Sequence, residues 1–414
     1  MNISRWFSQL SEVPGLVQYF IFVVKNRLQN KPLLAFELVS LGEWPFIHPL
    51  LNEFSKKQSA AVLLAWHDKS FQGAERLPLL SGLSKKTFLT KKKYIRRFPW
   101  VNIYITSSQF SSMVPDTYSI CIFHGQPSKG ITFNKKMLEN FDEFFFYGSL
   151  HRRAWDIFIK KTEAAIEYSP KLTMIGHTKL DALLNNRYER KAVLDSLGLD
   201  NALKTVLYAP AFNEHATLRT IGRELIQCLK SIDNINVIVK LAPDSIMSRE
   251  NFYATGGIDW KKTLQPLAGD HLAIAEDLDA NPLLAASDIM VTDVSGIAYD
   301  FLVLGKPVIY YDCPQFYRRC VPAFDPNITF AECLAEDTIN AGRKYGHVVG
   351  TLAELKKAVV CFTAGASRWP DQTGSMVGEI LKNPGRATEA AVARIEELLA
   401  GHAKSKRPLS ERSQ

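Results

Sequence analysis

The segment from Val291 to Asp312, VTDVSGIAYDFLVLGKPVIYYD, constrains the fold more than any other part of the chain. Ile289 to Thr292 is short, apolar and bounded by Asp288 and Asp293, as a buried parallel strand would be. Ser295 suits a helix N-cap, because its hydroxyl accepts from the first free backbone amides. Ile297, Phe301 and Leu304 then recur on one helical face. Gly305 and Pro307 end that helix, glycine by tolerating a left-handed cap and proline by being unable to continue it. Val308 to Tyr311 supplies the next strand, so the whole is one βαβ unit. Its turn at Ser295-Gly296 offers free N–H groups, a hydroxyl and the positive end of a helix dipole, which suit a diphosphate. Every βαβ unit has such a turn, so alone it permits anion binding and no more.

Strands and helices alternate along the rest of the chain, which implies parallel sheets covered on both faces. Expected strands lie at Leu33–Val39, Ala60–Ala65, Val101–Ile105, Tyr118–Phe123 and Asp142–Tyr147. After a polar, mostly helical linker from Arg187 to Leu203, a second series follows at Thr205–Tyr208, Val237–Lys240 and His271–Ile274. At 414 residues the chain exceeds one comfortable core, and two domains are expected. Their expected extents are 1–190 and 200–385, with a C-terminal helix and disordered tail over 386–414. The fold class is α/β: two doubly wound domains facing across a cleft, with ligands at the carboxyl ends of the strands. Four polar turns lie at such ends: His124-Gly125, Pro210 to His215, Leu241 to Ser245, and Asp293 to Gly296.

A formal charge of +8 favours a polyanionic neighbour. The six cysteines are scattered with no CxxC pair, which argues for reduced thiols and against a zinc ribbon. The apolar run from Gly15 to Val24 is too short to span a bilayer. Ile3, Trp6, Phe7, Leu10 and Val13 precede it at helical spacing, and Pro14 suits the start of a second short helix. This segment either lies on a membrane surface or packs on its own domain. A second basic run, Lys85 to Arg97, interleaves charges with Phe88, Leu89, Tyr94 and Ile95, which is compatible with anionic lipid or an anionic acceptor.

His124 sits where a strand stops and a turn begins. There it is either a general base facing the cleft or a structural histidine bonded to a carbonyl. Ser128 and Lys129 in the same turn either bind phosphate or decorate a loop. Asp300, just over one helical turn after Ser295, either accepts from ribose hydroxyls or is a solvated helix acid. His215 is a weaker candidate. Asp277 and Asp279 form a paired-acid motif, but there is no HExxH, Cys/His cluster, GxGxxG or GxxxxGK[ST], which disfavours metal, dinucleotide and P-loop chemistry.

These turns, in this order, resemble the CDP-glycerol glycerophosphotransferase family of teichoic-acid and related capsule polymer synthesis. His124-Gly125-Gln126-Pro127-Ser128-Lys129 is similar to its His-Gly-x-Pro-x-Lys turn. Gly176 to Asp181 is similar to Gly-x-Pro-Arg-x-Asp, with Thr178 for proline and Lys179 for arginine. Val206 to Pro210 is similar to the Leu-Tyr-Ala-Pro strand end. Asp293, Ser295, Asp300, Lys306 and Pro307 resemble the family's Asp-x-Ser-Ser, Asp-Phe and Lys-Pro elements, with Gly296 for the second serine. The resemblance covers roughly Leu33 to Phe316. It implies a GT-B fold and transfer of glycerol phosphate, or a related polyol phosphate, from a CDP-linked donor to a hydroxyl, releasing CMP. It further implies no cofactor and no metal requirement. His124 would take the acceptor proton, Ser295 and its helix start would hold the donor's phosphates, and Asp300 would contact the nucleotide. Gly125, Ser128, Lys129, Pro210, His215, Lys240, Asp293 and Gly296 complete the expected substrate-binding set. The sequence departs from the family at Ala242-Pro243, where a His-Pro pair is usual, and at Asn213, where arginine is usual. Lys240, His215 or Arg219 is then the candidate to replace that histidine.

The expected partners are CDP-glycerol or a similar donor and a lipid-linked or polymeric acceptor, at the inner face of the cell membrane, with no nucleic acid. Two other functions fit the same scaffold: a nucleotide-sugar glycosyltransferase, and a catalytically inactive binding member of a capsule assembly, the latter motivated by Ala242.

Overall fold

The computed structural model describes residues 13–57, 59–66, 86–112, 114–129, 133–162, 169–246, 250–323, 328–340, 342–365 and 373–401. Two parallel sheets organise them. The first lobe contains β1 (Leu33–Leu38), β2 (Ala61–Trp66), β3 (Thr87–Lys91), β4 (Ile103–Thr106), β5 (Tyr118–Cys121), β6 (Glu143–Phe146) and β7 (Lys171–Met174), in the order β3-β2-β1-β4-β5-β6-β7. The second contains β8 (Lys204–Tyr208), β9 (Ile235–Lys240), β10 (Leu272–Ala275), β11 (Ile289–Thr292), β12 (Val308–Tyr311) and β13 (His347–Val349), in the order β10-β9-β8-β11-β12-β13. All pairings between these strands are parallel. Central strands are buried along their whole length because helices cover both faces, which is why they are near-continuous apolar runs in the sequence. The strand order reverses between β1 and β4 and between β8 and β11, and the carboxyl ends at these two switch points are where a ligand belongs.

Strands β3, β7 and β13 escape the sequence pattern. Each carries charged or half-exposed residues and lies at a sheet edge, where one side has no strand partner to bury it. β3 falls inside the basic run, and the next residue, Lys92, turns inward: its Nζ lies 2.6 Å from Glu37 Oε1, with both side chains buried. This part of the run is therefore core structure and not a solvated face. Lys85 lies outside the described residues.

Helix α1 (Val13–Leu28) packs one face on the first lobe, as the second reading of the N-terminal segment expects. Tyr19 and Val23 pack on Leu33 and Ala35, and the Tyr19 hydroxyl donates to Phe98 O at 2.8 Å. The opposite face leaves Val17, Ile21 and Leu28 exposed. Residues 1–12, with Ile3, Trp6, Phe7 and Leu10, lie outside the described residues.

The chain returns to the first lobe before residue 385. Helix α2 (Ser149–Thr162) packs against α3 (Thr373–Ile380), Gln126 Nε2 donates to Ile380 O at 2.8 Å, and Lys382 N to Tyr147 O at 2.6 Å. Helix α4 (Ala387–Ala400) then buries Ala391, Val392, Ile395 and Leu398 among Phe36, Leu50 and Phe54. Asp181 accepts from the amides of Ala387 and Thr388, capping α4 from a distant part of the chain. Arg394 grips the buried Glu143 with two bonds of 2.9 Å. The expected boundary at 385/386 therefore falls within a segment that already belongs to the first lobe. Lys404 to Gln414 lie outside the described residues.

Candidate active site

The two lobes enclose one cleft of about 970 Å³, a size suited to a nucleotide-linked small molecule. Glu43, Phe46, His124, Ser128, Lys129 and Lys179 line it from the first lobe. Pro210, Lys240, Asp244, Ser295, Gly296 and Asp300 line it from the second. Of the expected base and substrate-binding residues, all but His215 and Asp293 line this space; Arg219, the further candidate to replace the family histidine, does not, and its guanidinium donates to Tyr253 O at 2.5 Å.

Local strain aims His124. Phe123, two residues beyond β5, has φ 58°, a left-handed conformation costly for a bulky residue. It is held there by a buried aromatic cluster, with Phe133, Phe144 and Phe146 ring centroids at 5.7, 5.5 and 5.9 Å. His124 then emerges exposed into the cleft. Its Nδ1 lies 3.0 Å from Ser107 O; a carbonyl only accepts, so Nδ1 carries the proton and Nε2 is left with a free lone pair. The carbonyl-bonded reading of His124 thus accounts for the Nδ1 side of a ring that lines the cleft.

Ser295 does not cap its helix. The helix is the short Ile297–Leu302, its cap position is Gly296, and no side chain caps it. Ser295 and Gly296 nevertheless form the cleft wall facing the His124 turn. A Cβ on Gly296 would stand 3.0 Å from Ser128 Oγ, so a side chain at 296 would press on the opposite lobe.

Asp293 is structural. Its buried carboxylate accepts from the amides of Ala211 (2.9 Å), Thr217 (2.8 Å) and Val294 (2.6 Å) and from the Thr217 hydroxyl (2.6 Å). It ties the two turns of the second lobe together, with no lone pair aimed at the cleft. His215, held at φ 62°, stands outside the cleft with its Nε2 3.8 Å from Glu214. Asp300 lines the cleft but is already engaged: Lys179 Nζ lies 2.7 Å from Oδ2 and His177 Nε2 3.7 Å from Oδ1. Its carboxylate joins the lobes, and ribose hydroxyls would have to compete with that ion pair. Asp279 accepts from Tyr188 OH at 3.2 Å and Asn281 N at 3.0 Å, a loop-fastening role.

Cations dominate the remaining wall. Lys129 donates to Asn213 Oδ1 at 2.7 Å and sits 5.1 Å from the Phe212 ring centroid. Burial lowers its pKa, while Asp293 and Asp244 oppose that shift. Burial, and then the charge of Lys179, push Lys240 down to about 8, against Asp277 and Asp279. Lys240 therefore keeps its charge below that pH and loses it above. Its Nζ donates to Leu241 O at 2.6 Å beside Ala242, in the same wall.

Sequence reasoning missed Glu43, Asp244 and the engagement of Lys179. Glu43 and Asp244 sit in single 3-10 turns after β1 and β9, too short for any periodic signal. Their signal was position: each is an acid just beyond the carboxyl end of a strand.

The model of the CDP-glycerol:poly(glycerophosphate) glycerophosphotransferase family matches residues 115–320, which hold the His124 turn and the second-lobe wall of the cleft up to Asp300. The chain belongs to this family. It is 23% identical over 324 residues to the teichoic acid glycerol-phosphate transferase of Staphylococcus aureus (strain NCTC 8325 / PS 47), covering 71% of this chain and 77% of that protein. It is 24% identical over 267 residues to the teichoic acid poly(glycerol phosphate) polymerase of Bacillus spizizenii (strain ATCC 23059 / NRRL B-14472 / W23), covering 56% and 64%. Among solved structures, the wall teichoic acid polymerase TagF superposes with a TM-score of 0.62 over 97% of this chain and 99% of that one, at 12% identity. The UDP-GlcNAc 2-epimerase of Neisseria meningitidis does so at 0.55 over 89% and 100%, at 13% identity. Both likenesses are of fold, and the expected GT-B arrangement is the observed one. Within this glycerophosphotransferase frame, Gly296 keeps clear of Ser128, and the cleft wall holds Lys240 beside Ala242 where the family's histidine is usual.

Proposed function

We propose that this chain transfers glycerol phosphate from CDP-glycerol to a hydroxyl of a lipid-linked or polymeric acceptor and releases CMP. The observation that carries this reading is the free Nε2 side of His124 in the same cleft as the Ser295-Gly296 wall, within a family of glycerophosphotransferases. His124 Nε2 takes the acceptor's proton, the acceptor oxygen bonds to the glycerol-bearing phosphorus, and the bond from that phosphorus to the CMP oxygen breaks. Charge on the phosphoryl group in transit is the main thing to be stabilised in such a reaction. Lys129 and Lys240 carry that task, Lys240 in place of the histidine absent at Ala242.

CDP-glycerol should raise the melting temperature of the protein more than UDP-sugars do, because a ligand bound only by the native state stabilises it. CMP should then accumulate when a glycerol phosphate oligomer is added as acceptor. Stabilisation by a UDP-sugar alone would replace this reading with the glycosyltransferase one. Stabilisation by CDP-glycerol without CMP release would favour the inactive binding member.

The acceptor is reached at a membrane surface. Among the described residues no helix is long and apolar enough to cross a bilayer. The exposed face of α1, with Val17, Phe20, Ile21 and Leu28, instead lies beside Lys25 and Arg27, and the Arg27 guanidinium stands 5.6 Å from the Trp100 ring centroid. Apolar, aromatic and cationic groups on one face suit the headgroup region of anionic lipid. The full chain should float with vesicles containing anionic lipid and not with neutral ones, and Ile21→Asp should abolish flotation. Equal flotation of both proteins would exclude α1 as the contact.

A further inference from the structure

We propose that Asn213 is a positioning residue for Lys129: reaching from the second lobe, its side-chain carbonyl holds the Lys129 ammonium at the cleft wall without neutralising it, so that the charge is kept for the substrate's phosphates. This role rests on the transferase reading of the cleft and deepens it. Lys129 Nζ lies 2.7 Å from Asn213 Oδ1 and 5.1 Å from the centroid of the Phe212 ring. An ammonium only donates, so the oxygen of the Asn213 amide is the atom that faces it. Lys129 and Phe212 line the cleft, whereas Asn213 is not part of its wall. Any effect of Asn213 on substrate therefore passes through the lysine it holds.

The turn that presents Asn213 is held in place at both ends. Asp293 accepts from Ala211 N at 2.9 Å and from Thr217 N at 2.8 Å, which clamps residues 211–217. Inside the turn, Asn213 O accepts from Ala216 N at 3.2 Å. On the facing lobe, a Cβ on Gly296 would stand 3.0 Å from Ser128 Oγ, so the residue before Lys129 already lies against the second lobe. Two other lysines show what an amide achieves here. Lys179 pairs with Asp300 at 2.7 Å and Lys92 with Glu37 at 2.6 Å, and both charges are neutralised within the protein. Among the described residues no carboxylate pairs with Lys129. Its N–H groups beyond the one given to Asn213 remain for an anion in the cleft. A bond from ammonium to phosphate oxygen is charge-assisted, and it strengthens as negative charge gathers on the group in transit. A carboxylate at position 213 would hold the ammonium as well but cancel its charge. Alanine there would release it to the many rotamers of a lysine.

The test uses the full chain with CDP-glycerol and a glycerol phosphate oligomer. Asn213→Ala should lower kcat by roughly 10- to 100-fold, with a smaller change in KM for CDP-glycerol, as expected when a charged group loses its anchor. Asn213→Asp, of the same shape, should lower kcat as well, because it neutralises the ammonium. In a Lys129→Met background, Asn213→Ala should change kcat by less than about 2-fold, since the two groups act as one. If Asn213→Ala does not fold, Asn213→Leu, close to asparagine in shape, takes its place. A full effect of the substitution in the Lys129→Met background, or a parental rate in Asn213→Asp, would overturn the role. Independently of turnover, inorganic pyrophosphate should raise the melting temperature of the parent more than that of Asn213→Ala, and the difference should vanish once Lys129 is replaced by methionine in both. Equal shifts in parent and Asn213→Ala, including none in either, would overturn the role too. A parent protein that turns over no CDP-glycerol would sink the transferase reading instead, while the pyrophosphate comparison still decides whether Asn213 holds Lys129 ready for an anion.

Discussion

His124→Ala is expected to lower transfer by roughly 10²- to 10⁴-fold, the contribution typical of a general base, while CDP-glycerol still raises the melting temperature. The side chain is exposed, so its removal opens no core cavity. The strained backbone before it is held by Phe123 and its ring cluster, which the substitution leaves untouched. Lys240, Ser295 and Gly296, proposed to hold the donor, belong to the other lobe and stay in place. CMP release measured beside thermal shift separates the two effects. Turnover near the parental rate would remove His124 as the base, and loss of the thermal shift would make it a donor contact.

Arg394→Ala is expected to destabilise the first lobe by about 3 kcal/mol, the low end of the cost of breaking a buried ion pair. Glu143 is fully buried, whereas the Arg394 side chain keeps 17% exposure, which is why the low end applies. Tyr118 OH, at 2.8 Å, and Thr173 Oγ1 still donate to Glu143 in the variant, but neither brings a charge. For a lobe of about 200 residues this corresponds to a fall in melting temperature of about 6–12 °C. Glu397→Ala removes only the exposed side of the same arginine's contacts and should cost under about 1 kcal/mol. Equal effects of the two substitutions in calorimetry would show that the Glu143 pair is not what holds α4.

The central strands were legible because burial on both faces leaves an unmistakable apolar run; Ile289–Thr292 and Val308–Tyr311 appear where expected. Edge strands were not, since a charged strand such as Thr87–Lys91 resembles a solvated basic segment until Lys92 is seen to pair with Glu37. The site was legible as four turns, but not as roles within them. Asp293 and Asp300 carry the same side chain seven positions apart, yet one fastens backbone amides and the other bridges to Lys179. What separates them is which partner arrives from another element, and no local spacing records that. The stripe Ala391, Ile395 and Leu398 announced a helix in the same way, but not that its partner is the first sheet.

That partnership bears on biogenesis. Arg394 and Glu143 are 251 positions apart, and Asp181 and Thr388 are separated by 207. A ribosome emits the chain from its amino end, so the first lobe waits with an uncovered sheet face until the second has been synthesised. Its early apolar surface is then a natural client for chaperones, and nascent chains stalled before Ala387 should be more prone to aggregate than those released after Ala400.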